Sequence, residues 1–314
     1  MSGKERKLAP EPAAGKVPEP MELAEIAVKE DIVHADGIGG SYITHSGRTL
    51  PRTVYERYIR EESVRTRLVR LTQCLLLGLF LAAWETAGRL QWIDVLLFSY
   101  PSKIVLLLAG KIADGSLFPH LGMTVWETIL GFTFGTALGT AIAALLWWSP
   151  FLSRVLDPYM VVLNSMPKVA FGPLFIVGFG PGALSIVATT LSVTVIITTL
   201  VIYGSFRETD ANYVKVVRVF GGSKGDVFRK TVLPASFPTI VSTLKVNVGL
   251  AWIGVIVGEF LVSKQGLGYL IVYGFQVFNF TLVLASLFVI AIVATLMYQA
   301  VAMLEQRLTG GGQS

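Results

Sequence analysis

Leu282–Leu304 reads LVLASLFVIAIVATLMYQAVAML, without one charged side chain. A helix needs about 20 apolar residues to cross the hydrocarbon core of a bilayer. Every backbone polar group within that core must be satisfied inside the segment. The stretch therefore predicts a transmembrane helix. Working toward the N-terminus, the same rule predicts spans near Pro238–Leu261, Ala183–Tyr203, Pro158–Phe179, Thr124–Trp148 and Leu71–Gly88. The expected fold is all-α, a polytopic membrane protein of about six transmembrane helices over residues 71–308. Composition agrees: 53% of residues are hydrophobic and 15% charged, against about 25% charged in a soluble domain. Pro167 and Pro173 fall inside the third span, where neighbouring helices can cover the freed backbone groups.

Outside the spans the sequence changes character. Residues 1–50 are rich in Pro, Glu, Ala, Lys and Gly and lack an apolar period, which predicts a flexible cytoplasmic tail rather than a cleavable signal peptide. Residues 51–70 place Val54, Tyr58 and Val64 among Arg52, Arg57, Arg60, Arg65, Arg67 and Arg70. That pattern suits a helix on the membrane surface or a solvated lead-in that sets orientation. Residues 309–314 read as a flexible C-terminus. The single cysteine, Cys74, lies in the first span and has no partner for an internal disulfide.

The formal net charge is +5. Its basic residues flank the spans, where anionic lipid and topology account for them, and no basic patch interleaved with aromatics points to nucleic acid. One basic group precedes the first span. Arg207, Lys215, Arg218, Lys224, Arg229 and Lys230 form another between the fourth and fifth. Six spans put both groups on one side, so both termini and this loop are expected in the cytoplasm of a bacterial inner-membrane protein.

That loop, residues 206–237, carries the functional argument. Val214, Val217 and Phe220 recur at helical spacing, Gly221-Gly222 can end a helix, and Ser223 with Asp226 forms a capping-box pattern for a second one. Val227, Phe228 and Val232 give the second helix an apolar side, and Pro234 marks its end. Two readings stand: Val227 and Phe228 plug a groove on a partner, or they pack onto the ends of the chain's own spans.

The spacing from Gly221 to Leu233-Pro234, with Phe228-Arg229-Lys230 between, resembles the EAA loop of ABC importer permeases. Three further stretches resemble the nitrate/sulfonate/taurine/bicarbonate branch of that family: Pro167-Lys-Val-Ala-Phe-Gly-Pro-Leu-Phe-Ile-Val-Gly-Phe-Gly-Pro-Gly, Glu259 followed by Gly266-Leu267-Gly268-Tyr269, and Pro101-Ser102. The resemblance spans residues 99–308. One departure is plain: the family's Glu-Ala-Ala falls on Lys215-Val216-Val217. The resemblance implies a type I, MetI-like permease fold and a loop that couples to a separate ATPase through Lys215, Arg218, Gly221, Gly222, Ser223, Lys224, Asp226, Val227, Phe228, Leu233 and Pro234. It also implies two ATP-binding cassette subunits, which hold the ATP and magnesium, a second permease copy, and an extracytoplasmic solute-binding protein. The implied solute is a small anion such as nitrate, sulfonate, taurine or bicarbonate; the branch also carries pyrimidine vitamin precursors.

Chemistry of the chain's own is not evident. Gly225-Asp-Val-Phe-Arg-Lys230-Thr231 lacks the second glycine of a phosphate-cradling loop. His34, His45 and His120 share no metal-ligand spacing with other ligand types. The chain is thus expected to bind no cofactor or metal and to catalyse no reaction. Polar residues inside the spans are candidates for a translocation path, because their burial in lipid is costly. Thr190, Thr194 and Thr198 line one face of the fourth span, either as path or as hydroxyls bonded to their own helix. Asn164, Ser165 and Lys168 cluster in the third span, where Lys168 can attract an anion or snorkel. Asn247, Trp252 and Glu259 share the fifth span. Gly131, Gly135 and Gly139 form a small-residue stripe that suits close helix packing. The competing function is a stand-alone secondary transporter or channel, which predicts internal inverted repeats; none is visible.

Overall fold

The computed structural model describes the backbone of residues 32–35, 41–44 and 49–309 and the side chains of residues 65–308. Most of the predicted tail, and residues 310–314, lie outside them. The chain divides into a unit ending at Ala83 and a unit beginning at Trp84. In the first, strands β1 (Ile32–Ala35), β2 (Ser41–Thr44) and β3 (Thr49–Pro51) pair antiparallel in sequence order. Helix α1 (Arg52–Arg89) follows, so the basic lead-in and the first span are one continuous helix of 38 residues. From Arg65 to Ala83 its side chains are exposed, including Leu68, Leu71, Leu75, Leu76, Leu79 and Phe80. A leucine-covered helix of that length is at rest in lipid, not in water.

The second unit continues with α2 (Val95–Phe98), α3 (Pro101–Ala113), α4 (Leu117–Trp148), α5 (Pro150–Ser165), a 3₁₀ turn over Lys168–Phe171, and α6 (Gly172–Phe179). Then come α7 (Ala183–Glu208), α8 (Ala211–Val219), α9 (Lys224–Val227), a π turn over Phe228–Val232, α10 (Leu233–Val262), α11 (Leu267–Gln276) and α12 (Phe280–Thr309). Among the described residues, five helical segments are long and apolar enough to cross a membrane. The predicted third span is instead a bent pair, Pro150–Ser165 and Lys168–Phe179, whose axes meet at 94°. Pro167 explains the break. Its ring disfavours helical backbone at the preceding residue, and Met166 is extended with ψ 145°. Pro173, in the first turn of α6, restarts the helix where no amide is needed.

The core is built by α4, α7 and α10. Threonines of α7 seat opposite glycines of α4: Thr190 against Gly131, Thr194 against Gly135 and Thr198 against Gly139. A Cβ added at Gly139 would lie 2.6 Å from the Thr198 Cβ, and one at Gly254 of α10 would lie 2.6 Å from the Thr190 Cα. The glycine stripe thus serves the close packing its spacing predicted. A second layer closes over one side: Leu117, Val248, Trp252, Leu267, Leu270 and Val289 bury together. Lys245 of α10 pairs with Glu305 of α12 at 2.6 Å.

Filling one of these notches should overpack the core. Gly135→Leu is expected to lower detergent-solubilised stability by about 1–3 kcal/mol, read as a fall in the thermal midpoint. Gly78→Leu, at a site with no atom within 4 Å of the new Cβ, should leave the midpoint unchanged.

Candidate functional site: the loop after the fourth span and the buried polar core

The loop begins where α7 ends. Asp210 caps α8 by accepting from the Asn212 amide at 2.8 Å. The apolar stripe of α8 is split between two environments. Val214 and Val217 are half-buried against a cluster of Ala143, Ile202, Phe206, Val227 and Val232. Val216, Val219 and Phe220 point outward, the last two 83% and 86% exposed. Gly221 then takes φ +79°, the left-handed cap that glycine adopts without strain. Its amide donates to the Arg218 carbonyl, and the Gly222 amide donates to that of Val217, both at 2.9 Å. Gly222 is glycine for a second reason: a Cβ there would sit 2.7 Å from the Val217 carbonyl oxygen.

Ser223 and Asp226 close the predicted capping box. The Asp226 amide donates to Ser223 Oγ at 3.2 Å, and the Ser223 amide donates to Asp226 Oδ2 at 3.0 Å. Lys230 adds an ion pair to Asp226 at 3.0 Å. The expectation that Pro234 ends this helix is not met. Lys224–Val262 is helical throughout, with Leu233 and Pro234 in the first turn of α10. The π turn over Phe228–Val232 ends two residues before the proline. Its wider winding takes up the carbonyl that the proline ring would otherwise strike.

Val227 and Phe228 face inward. Val227 is 1% exposed. The Phe228 ring lies 5.0 Å from Trp147, 5.5 Å from Phe206 and 6.3 Å from Trp148. Lys224 completes the attachment: Nζ donates to the Trp148 carbonyl at 2.5 Å and sits 5.6 and 5.8 Å from the two indole rings. A lysine here satisfies a free carbonyl at the end of α4 and meets the negative end of that helix. The loop is therefore clamped to α4 and α7 from below, while Lys215, Arg218, Val219 and Phe220 stand exposed above.

The span residues fall into two groups. Asn164, Ser165 and Lys168 come together at the 94° break. Lys168 Nζ donates to the Asn164 carbonyl at 2.7 Å, and Asn164 and Ser165 are exposed. The others lie inside the three-helix core. Thr190, Thr194 and Thr198 are fully buried and donate to carbonyls one turn back at 3.0, 2.9 and 2.6 Å. Asn247 donates to Thr198 and Thr136, both at 2.8 Å, joining α10, α7 and α4. Trp252 is buried in the second layer.

Glu259 is the centre of a third polar cluster. Thr124 donates to Glu259 Oε1 at 2.6 Å, the Gly268 amide donates to Oε2 at 2.5 Å, and the Leu267 amide donates to Thr124 Oγ1 at 2.8 Å. His120 Nδ1 accepts from the Gly266 amide at 3.1 Å. The Gly266-Leu-Gly268 pattern follows from this contact. Gly266 has φ +137°, and a Cβ at Gly268 would lie 2.8 Å from the Glu259 Cβ. Glu127, one turn beyond Thr124, is fully buried beside Glu259 and takes no hydrogen bond from any other described group. Sequence reading passed over it. The available signal was an isolated carboxylate inside an apolar span, which is costly unless it has a role.

Comparisons with known proteins give the family and the fold. The family described as binding-protein-dependent transport system inner membrane component matches residues 135–310. The chain belongs to this family. Among its relatives, the aliphatic sulfonates transport permease protein SsuC of Bacillus subtilis is 31% identical over 83% of this chain and 94% of its own length. The taurine transport system permease protein TauC of Escherichia coli is 26% identical over 74% of this chain and 86% of its own. Among solved structures, a chain of a bacterial alginate ABC transporter superposes with TM-score 0.57 at 13% identity, covering 82% of this chain and 99% of that one. A chain of the methionine transporter MetNI gives 0.54 at 19%, covering 62% and 96%. The fold is that of type I ABC importer permeases, and the chain is a multi-pass membrane transport protein.

Removing the Glu259 carboxylate leaves buried donors unpaired, a loss of about 1–3 kcal/mol. Glu259→Leu should therefore raise amide hydrogen exchange at Gly268, which Glu259 bonds, and at Leu267, whose acceptor Thr124 it holds, well above that at Ile271. Equal protection at all three positions would show that Glu259 does not hold the start of α11.

Proposed function

We propose that this chain is the membrane subunit of an ATP-driven importer. Two copies line the path for a small solute. Two separate ATPase subunits, which hold ATP and magnesium, grip the residue 206–237 loops, and an extracytoplasmic solute-binding protein delivers the solute. Both termini and the loop face the cytoplasm, as the basic residues around them favour. The observation that carries the reading is the two-sided loop: Val227 and Phe228 tie it to α4 and α7, while Val219 and Phe220 stand free. A rigid lever needs both ends, one fixed to the spans it moves and one gripped by the motor. Exposed valine and phenylalanine beside Lys215 and Arg218 suit an apolar groove with an acidic rim. A transporter working alone leaves that apolar knob without a purpose.

The lever acts as a rigid-body switch. Closure of the ATPases displaces Phe220 and its helix; the Trp147–Phe228–Phe206 contacts pass the displacement to α4 and α7. Lys215 stands where the family places glutamate, so this permease pairs with an ATPase whose facing surface accepts a cation. For the solute, the sulfonate, taurine and nitrate relatives support a small anion. The cation that meets it is Lys168, a reading supported by its position at the break of the third span.

Phe220→Asp should abolish co-purification of the ATPase subunit and solute-stimulated ATP hydrolysis while leaving the thermal midpoint unchanged. Phe228→Ala, which truncates a partly buried ring, should lower stability by about 2 kcal/mol, read as a fall in the thermal midpoint. ATPase recovery that Phe220→Asp does not touch would overturn the loop assignment. Lys168→Met should raise KM for uptake of an anionic solute at least tenfold, about 1.4 kcal/mol; an unchanged KM would remove Lys168 from the path.

A further inference from the structure

A cavity of about 410 Å³ opens beside the loop's attachment point, between the end of α4, the start of α5 and the end of α7. Trp147, Ser153, Arg154, Asp157, Tyr203 and Arg207 line it. Three of these are exposed ionic side chains, two guanidiniums and one carboxylate. Arg207 lies over the Tyr203 ring at 5.7 Å, and the Tyr203 hydroxyl is in turn hydrogen-bonded to Ser153 Oγ. Stacking on an aromatic face steadies a guanidinium while leaving its N–H edge free. Two arginines facing one cavity repel each other, and an anion between them offsets that repulsion through charge-assisted bonds.

We propose that this cavity binds the phosphodiester headgroup of a membrane lipid, with the phosphate on Arg154 and Arg207 and a donor group of the headgroup, ammonium or hydroxyl, on Asp157. The volume lies within the range of small-molecule pockets, about 300–1,000 Å³. The sign pattern, two positive and one negative, matches a phosphate carrying a donor better than a free dianion. The surroundings favour a lipid over a soluble phosphate. The cavity sits where the aromatic pair Trp147–Trp148 ends an apolar span, the level at which headgroups lie. The helix that supplies Arg154 and Asp157 also presents Phe151, Val155, Tyr159 and Val162 to its surroundings, 78%, 44%, 62% and 57% exposed. Acyl chains cover such a face. Basic pockets between spans are a recurrent seat for lipid headgroups.

The site is tied to the loop. Trp147 is both the wall of the cavity and the nearest ring to Phe228, at 5.0 Å. An occupant therefore braces the residue that anchors the loop. The inference stands on the cavity and its apolar surroundings and does not require the importer reading.

The test uses the full chain, purified in mild detergent and titrated with phosphatidylethanolamine, phosphatidylglycerol or phosphatidylcholine, with bound lipid read by native mass spectrometry. Wild type should retain the first two over phosphatidylcholine, whose quaternary ammonium has no N–H for Asp157. Soluble glycerophosphoethanolamine should displace them. Arg154→Gln with Arg207→Gln should cut retention about tenfold, as expected for lost charge-assisted bonds, and Asp157→Asn should erase the preference between headgroups while keeping retention. If the double variant does not fold, displacement from wild type still decides the matter. Three results would overturn the proposal: equal retention of all three lipids with no displacement, stabilisation by inorganic phosphate without lipid retention, or loss of a co-purifying protein in the arginine variants with lipid retention unchanged.

Discussion

The interdigitation of α7 threonines with α4 glycines is the contact on which the rest of the fold depends. In lipid there is no hydrophobic force to drive helices together, so close approach and dispersion must do so. Each threonine of the series spends its hydroxyl on a carbonyl of its own helix. That leaves its remaining surface to fill the notch opposite a missing Cβ. The hydroxyl is satisfied without water, and the helices approach to backbone distance. Gly254 and Gly258 repeat the device on α10, against Thr190 and Ile186, so α7 is gripped from two sides.

Upon that frame, three polar contacts fix register at different heights. Asn247 bonds Thr198 and Thr136 within the bundle. Glu259 bonds Thr124 and the start of α11. Lys224 holds the Trp148 carbonyl beside the loop. Each links elements far apart in sequence, and each is made by a group that lipid or the core would penalise if left alone. Apolar packing alone would let α10 slide along α7 at small cost. These bonds oppose it and hold α10 and α7 in one register.

Much of this was legible in the sequence, for identifiable reasons. Spans are readable because their apolar length is set by the bilayer and not by their neighbours; Leu282–Leu304 falls inside one helix, Phe280–Thr309. The capping box at Ser223–Asp226 is local, so its pattern predicted its bonds. Pro167 is visible as a proline, but a proline inside an apolar span is compatible with a straight helix or a break, because the sequence does not say whether neighbours will cover the freed groups. Pro234 misled in the opposite direction: a π turn, which has no sequence signature of its own, absorbed it. The facing of Val227 and Phe228 was undecidable from periodicity, since an apolar stripe looks the same whether it meets a partner or its own spans. Trp147 and Trp148, far earlier in the sequence, settle it. Glu127 and Glu259 lie on separate spans, and only the fold puts them side by side.

The division of the loop into a fixed and a free side also explains why its sequence can tolerate Lys215, where the EAA-loop pattern it resembles has an acid. Lys215 is exposed on α8, and the described structure asks nothing of it: the clamp is made by Val214, Val217, Lys224, Val227 and Phe228. A residue that holds no part of the internal clamp is free to follow the surface it meets. The constraint on Gly222 is of the other kind, because a Cβ there strikes the Val217 carbonyl whatever partner is present. Positions held by the chain's own backbone and positions left exposed thus alternate along one short helix–turn–helix. The first set makes the loop a rigid part of the bundle.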